Sequence, residues 1–153
     1  MLDSVQDKCQ KTILERYGRF CICATALSRP HRDLSDFLTK NGIFHENEKS
    51  GLFSGRKPNG RPWNPIPDIY IDSHKLCIEV FGTYWHADPR FFKANDLLKA
   101  KNKTAEEIWG EDKQRLEYIQ SQGFTTLVVW QEDIQHGTGK EDLVSYLRRT
   151  YEL

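Results

Sequence analysis

The sequence predicts an α/β fold, a small central mixed sheet flanked by helices. Three observations carry this. Residues 67–86, PDIYIDSHKLCIEVFGTYWH, read as two short strands joined by a tight turn. Residues 124–130, FTTLVVW, form an apolar run of strand length rich in β-branched side chains. Between them, residues 104–122 carry a helical pattern between a capping signal and a glycine. Strand pair, helix, strand is the order of a mixed sheet with a helical crossover, and the segments outside it add helices.

In the central hairpin, Ile69 and Ile71 alternate with Tyr70 and Asp72. Asp72 and Ser73 supply the turn, and Leu76, Ile78 and Val80 line one face of the returning strand. Upstream, residues 3–17 suit a helix with Val5, Cys9 and Ile13 on one face and Gly18 as its stop. A second helix starts at Ser28-Arg29-Pro30, with a polar cap and proline in the first turn. It buries Leu34, Phe37 and Leu38 and ends at Asn41-Gly42. Ile43-Phe44-His45 is expected to begin a short strand.

Thr104 and Glu107 form an expected capping box for the 104–122 helix. Ile108, Leu116 and Ile119 are its buried stripe, and Gly123 is its stop, while Gly110 weakens the interior. The run at 124–130 is expected to be a buried strand. Gly137 and Gly139 precede a last helix with Leu143, Tyr146 and Leu147 inward.

The 153 residues suit one domain with its own core, with an N-terminal helical segment over about 1–27 and the main body over about 28–153. There are 22 basic and 22 acidic residues, so no overall field points to nucleic acid and any basic surface must be local. No apolar run has membrane-spanning length and the N-terminus lacks an apolar signal-peptide core, so a cytoplasmic protein is expected, with no membrane partner. The four cysteines, at 9, 21, 23 and 77, include one close pair and no second one, so reduced thiols are expected rather than structural zinc.

Chemistry concentrates around the hairpin. Asp68 opens its first strand and Glu79 lies near the end of its second, where antiparallel pairing can set the two side by side. Two carboxylates in an apolar hairpin are costly unless a cation or a donor meets them. A pair of hard oxygen donors suits Mg²⁺ or Mn²⁺, which keeps waters and shares its remaining positions with phosphate. His86 follows just past the second strand, where an imidazole can take a proton from water, and Asp112 on the next helix can orient it. Together these parts describe metal-assisted phosphodiester hydrolysis. The plainer alternatives are a turn aspartate at 68, a solvated Asp112 and a His86 ring bonded to backbone.

Two local basic clusters stand apart in the chain. Residues 49–66 form a long Gly/Pro/Asn-rich loop carrying Arg56, Lys57 and Arg61 beside Trp63. It reads either as a phosphate-contacting, base-stacking surface or as a solvated loop with Trp63 tucked against the body. Lys93, Lys99, Lys101 and Lys103 make the second cluster.

The segments PDIYID, IEVFGTYWH and GEDKQRLEYIQSQGFTTLVVWQEDI, in that order, resemble the very-short-patch-repair mismatch endonucleases. They resemble more strongly the bacteriophage homing endonuclease catalytic domains built on the related EDxHD motif. Both belong to the PD-(D/E)XK superfamily. The resemblance covers roughly residues 28–134 and implies a restriction-endonuclease-like α/β/α sandwich acting on double-stranded DNA, in a bacterial host cell if phage-encoded. It makes Asp68 the central metal ligand, the Val80 carbonyl a further one, His86 the general base or acid and Asp112 its partner. Tyr84 and Trp85 fall where the repair enzymes wedge aromatic rings between base pairs, with packing into the core as the rival for Trp85.

Departures are specific. The family's first glutamate falls at His31, so that residue, or Asp33, Glu46 or Glu48, has to take its place. The superfamily lysine and a second histidine of the repair enzymes both fall at Phe81. Thr83 stands where a zinc-binding cysteine would be. These losses turn the expectation from mismatch or nicking repair to the homing-type endonuclease, with a non-catalytic DNA-binding module as the alternative. So small a domain is expected to cut one strand per site, which calls for a homodimer or a further DNA-binding region.

Overall fold

A computed structural model describes residues 27–153, so the helix expected over 3–17 and three of the four cysteines lie outside the described residues. Helix α1, Arg29–Lys40, begins where the Ser28 side chain accepts the His31 N–H at 3.3 Å and stops at Asn41, followed by Gly42 at φ +72°. The chain then enters a four-stranded sheet of β1 (Glu46–Asn47), β4 (Ile69–Ile71), β5 (Leu76–Phe81) and β8 (Thr125–Trp130), in the order β1-β4-β5-β8. β1, β4 and β5 pair antiparallel, while β5 and β8 run parallel, the mixed sheet that the sequence predicts.

Alternation along β4 and β5 divides the core. Leu34 and Leu38 of α1 pack against Ile69, Ile71, Ile78 and Val80, together with Leu143, Val144 and Leu147 from α4, Gly139–Tyr151. Tyr70 and Cys77 face the other way and meet Phe53 and Ile119 of α2, Ala105–Ser121. Helices therefore cover both faces, an α/β/α sandwich. Within the described residues no helix is long and apolar enough to cross a membrane.

The crossover from β5 to β8 carries most of the features that shape the site. Thr104 caps α2 with its side chain on the Glu107 N–H, and Glu107 reaches back to the Thr104 N–H at 2.8 Å. This reciprocal box is worth about 1 kcal/mol. α2 runs unbroken through Gly110. Two small hairpins, β2–β3 (Gly55–Arg56 with Pro62–Trp63) and β6–β7 (Leu97–Leu98 with Lys103–Thr104), organise the two basic stretches.

Four expectations need correction. Ile43-Phe44-His45 is not strand: Phe44 is 83% exposed, and the His45 ring bonds the Ile43 carbonyl and Ser35, so pairing waits until Glu46. Among the described residues β8 is an edge strand, and of its six residues only Val129 is buried. Leu116, placed in a buried stripe, is only half-buried because it lines an open groove with Phe81, Trp109 and Trp130. A short helix α3, Gln131–His136, follows β8 where the sequence had indicated no element.

Candidate active site

The parallel strands β5 and β8 and the start of β4 meet at one end of the sheet, the kind of edge where open α/β sheets place ligands. The pairing Ile69↔Ile78, continued by one step, sets Asp68 opposite Glu79 on the α2 face. Asp68 Oδ2 accepts the Val80 N–H at 2.7 Å. Val80, expected to lend a carbonyl, thus also fixes the aspartate.

Glu79 is 4% exposed. Arg115, one turn beyond Asp112 on α2, donates Nη2–H to Glu79 Oε1 at 3.1 Å and to the Ile66 carbonyl at 2.9 Å. Burial pushes the Glu79 carboxyl up to about 7, with Arg115 opposing and the charges of Asp68 and Asp112 adding to the rise. Both aspartates are therefore close enough for Glu79 to feel. Arg115 was not among the residues singled out from sequence. The signal was available, since a carboxylate flanked by Ile78 and Val80 needs a cation and Asp112-x-x-Arg115 puts one on the same helix face.

His86 lies in a turn beyond β5. Its Nδ1–H donates to Asp112 Oδ2 at 2.9 Å, and its ring stacks on Phe81 with centroids 4.0 Å apart and planes 3° from parallel. With the carboxylate at Nδ1, a neutral ring carries its proton there and presents Nε2 as a base. The structure thus joins His86 to Asp112 and Glu79 to Arg115, with the charges of Asp68 and Asp112 reaching Glu79.

The His31 side chain is engaged by a residue of β1. That ring is 3% exposed and bonds Asn47 Oδ1 at 3.0 Å, and Asn47 pairs with Ile69, whose side chain belongs to the α1-side core. Of the other carboxylates considered for that place, Asp33 pairs with Arg29 and Glu46 with Lys49. Glu48 is joined to Asp68 through its backbone N–H, at 2.9 Å from the Asp68 carbonyl.

Among the described residues no group of three or more His, Cys, Asp and Glu side chains is gathered as a metal cage. Asp68 and Glu79 each give one oxygen to a donor of this chain, which leaves the second oxygen of each for a cation. That donor set fits Mg²⁺ or Mn²⁺, held by one or two carboxylates and completed by water and phosphate, and does not fit an ion that needs an all-protein shell.

A groove of about 530 Å³ opens beside this cluster, lined by Lys57, Trp63, Lys103, Asp112, Gln114 and Arg115. The β2–β3 hairpin forms one wall, so a lysine from each basic stretch reaches the same groove. Lys103 is ion-paired with Glu111. Arg56 bonds the Gly60 carbonyl at 2.8 Å, while Arg61 is exposed on the hairpin. Trp63 is half-buried and stacks on Tyr118 of α2 at 4.4 Å, with Lys57 Nζ 5.5 Å from its ring centre.

Tyr84 and Trp85 stand outside the core, 39% and 56% exposed. The Tyr84 hydroxyl accepts the Ala100 N–H at 3.2 Å and Lys101 Nζ–H donates to the Trp85 carbonyl at 2.9 Å, so the lysine-bearing loop braces the aromatic pair. Lys93 and Lys99 are exposed on the same loop.

No protein-family model matches the chain, and no curated protein matches it. Among solved structures it is similar to the "Homing Endonuclease I-Bth0305I Catalytic Domain", with a TM-score of 0.50 and 19% sequence identity, over 82% of this chain and 98% of that one. The chain has the fold of that catalytic domain. The shared sandwich is the mixed α/β arrangement described above, with a small sheet between helices.

Proposed function

We propose that this chain is a divalent-cation-dependent endonuclease domain that hydrolyses phosphodiester bonds in double-stranded DNA, of the homing-endonuclease type. The observation that carries this reading is the His86–Asp112 pair next to the Asp68–Glu79 carboxylates at one sheet end, beside a groove walled by lysines. The likeness in fold to a homing endonuclease catalytic domain supports it.

In this reading Asp68 and Glu79 hold Mg²⁺ or Mn²⁺. When bound, the cation polarises the scissile phosphate and offsets the charge that builds on it. The rest falls to side chains. His86 Nε2 takes the proton of the attacking water, and Asp112 keeps the imidazole in the right tautomer and stabilises the imidazolium that forms. Lys57, Lys103 and Arg115 contact phosphate oxygens, with Arg56, Arg61 and the loop lysines extending that track. Tyr84 and Trp85, exposed at the rim, present aromatic faces to the duplex. One such site cuts one strand, so a double-strand break calls for two copies of the domain or a further DNA-binding region.

The test is plasmid cleavage in Mg²⁺ or Mn²⁺ by the chain and its His86→Ala variant, with duplex, mismatched and RNA substrates compared. Metal-dependent cleavage of duplex DNA that vanishes in the variant is expected. Equal cleavage by both proteins sinks the reading. A binding module without cleavage is the second reading, favoured by the sparse donor set. Duplex binding with no product under any divalent ion would establish it.

A further inference from the structure

His86 sits in a turn over residues 82–88 whose shape is not one the chain adopts freely. Ala87, its neighbour, is fully buried and has φ +48°, a left-handed conformation that an alanine occupies only when its surroundings over-determine it. Trp109 of α2 donates Nε1–H to the Ala87 carbonyl at 2.7 Å. Within the turn, the His86 N–H bonds Gly82 O at 3.0 Å and the Asp88 N–H bonds Thr83 O at 2.9 Å.

Both ends of the turn are gripped from α3. At the start, the Thr83 N–H donates to Gln131 Oε1 at 3.1 Å. At the end stands Asp88, a carboxylate only 1% exposed. Arg90 folds back onto it in a fork, Nε to Oδ1 at 3.0 Å and Nη2 to Oδ2 at 2.7 Å. The guanidinium also reaches Asp133 of α3, Nη1 to Oδ1 at 2.6 Å. The Arg90 hydrogen bonds hold the Asp88 carboxyl below the usual carboxylate range although burial works the other way. A planar, bidentate donor fixes direction as well as distance.

We infer that Arg90, by joining Asp88 to Asp133, locks the strained turn that aims the His86 imidazole at Asp112, and is a positioning residue for cleavage. The consequence for cleavage rests on the function proposed above, whereas the lock itself does not. α3, with Gln131 and Asp133 two residues apart, is then the anchor for the catalytic turn.

Two readouts test this on the full chain. The first is the ¹⁵N-resolved NMR signal of the His86 Nδ1–H, without DNA or metal, assigned by its loss in Asp112→Asn. The second is the split between kcat and KM on duplex DNA. Arg90→Gln is expected to broaden or erase the signal and lower kcat by about tenfold or more, with KM changed less than about twofold. Arg90→Lys keeps the charge without the fork and is expected to recover only part of both. A folded Arg90→Gln protein with the signal and kcat intact overturns the inference. Where Arg90→Gln does not fold, Asp133→Asn cuts only the outer half of the lock, and an unchanged signal there overturns it equally. A wild-type protein that cleaves nothing removes the nuclease reading, while the signal still decides the lock.

Discussion

Phe81 and His86 lie face to face, ring centroids 4.0 Å apart and planes 3° from parallel. The phenyl ring shields one face of the imidazole while Asp112 holds its Nδ1. Phe81 on β5 is thus a packing surface for that ring. The cation that serves Glu79 comes from α2, as Arg115.

His86→Ala should lower the cleavage rate by roughly 10²–10⁴-fold, the range for a positioned acid or base. Asp112→Asn should also lower the rate strongly, because an amide can stabilise the wrong tautomer and offers no charge to the imidazolium. Duplex affinity should stay near wild type for both, as neither side chain is assigned to phosphate. Gel-shift titration beside single-turnover cleavage checks this, and a parallel loss of binding would count against the assigned roles.

Glu79 makes stability depend on pH in an unusual direction for a carboxylate. Its carboxyl is raised from 4.5 to about 7 by burial, so across that interval the folded chain keeps a proton that the unfolded chain has released. The contribution is fully present below pH 4.5 and is lost as pH rises through about 7. Melting curves without metal should therefore show Glu79→Gln gaining on wild type as pH rises. Mg²⁺ should recover part of the wild-type loss by binding the folded state, and Asp68→Asn should abolish that recovery. A wild-type-minus-variant difference that is flat across the interval would show the carboxyl to be unperturbed.

The groove lysines should act on affinity without sequence preference. Lys57→Ala or Lys103→Ala should each reduce the slope of log affinity against log salt by about 0.9, the release of one counterion. Fluorescence anisotropy with two unrelated duplexes measures it. Unchanged slopes in both variants would place the phosphate track elsewhere.

Gly55 packs closely beneath Tyr118. A Cβ there would stand 2.0 Å from the Tyr118 hydroxyl and 2.9 Å from its ring carbon, so Tyr118, stacked on Trp63, would have to shift. Gly55→Ala should destabilise by about 1–3 kcal/mol, the cost of overpacking. Tyr118→Phe, which removes the nearest atom, should restore part of it in the double variant. Chemical denaturation of the four proteins gives the coupling, and strict additivity would mean that the hairpin does not rest on Tyr118.

What the sequence by itself determined is local. Ser28 and the Thr104–Glu107 box start helices because capping is settled within four residues, and the β4–β5 hairpin follows from alternation about a turn. The hairpin register in turn makes Asp68 and Glu79 neighbours. Only the tertiary structure decided which groups complete the site. Arg115 meets Glu79 across 36 positions, Asp112 meets His86 across 26, and Arg90 meets Asp133 across 43. It also decided that β8 lies at the sheet edge among the described residues and that His31 pairs with Asn47, since an apolar run shows the same pattern at the edge or the centre of a sheet and a histidine does not announce its partner. Periodicity reports which side of an element is apolar. Which side chain stands opposite depends on how the layers close, and that is set by packing summed over the whole core.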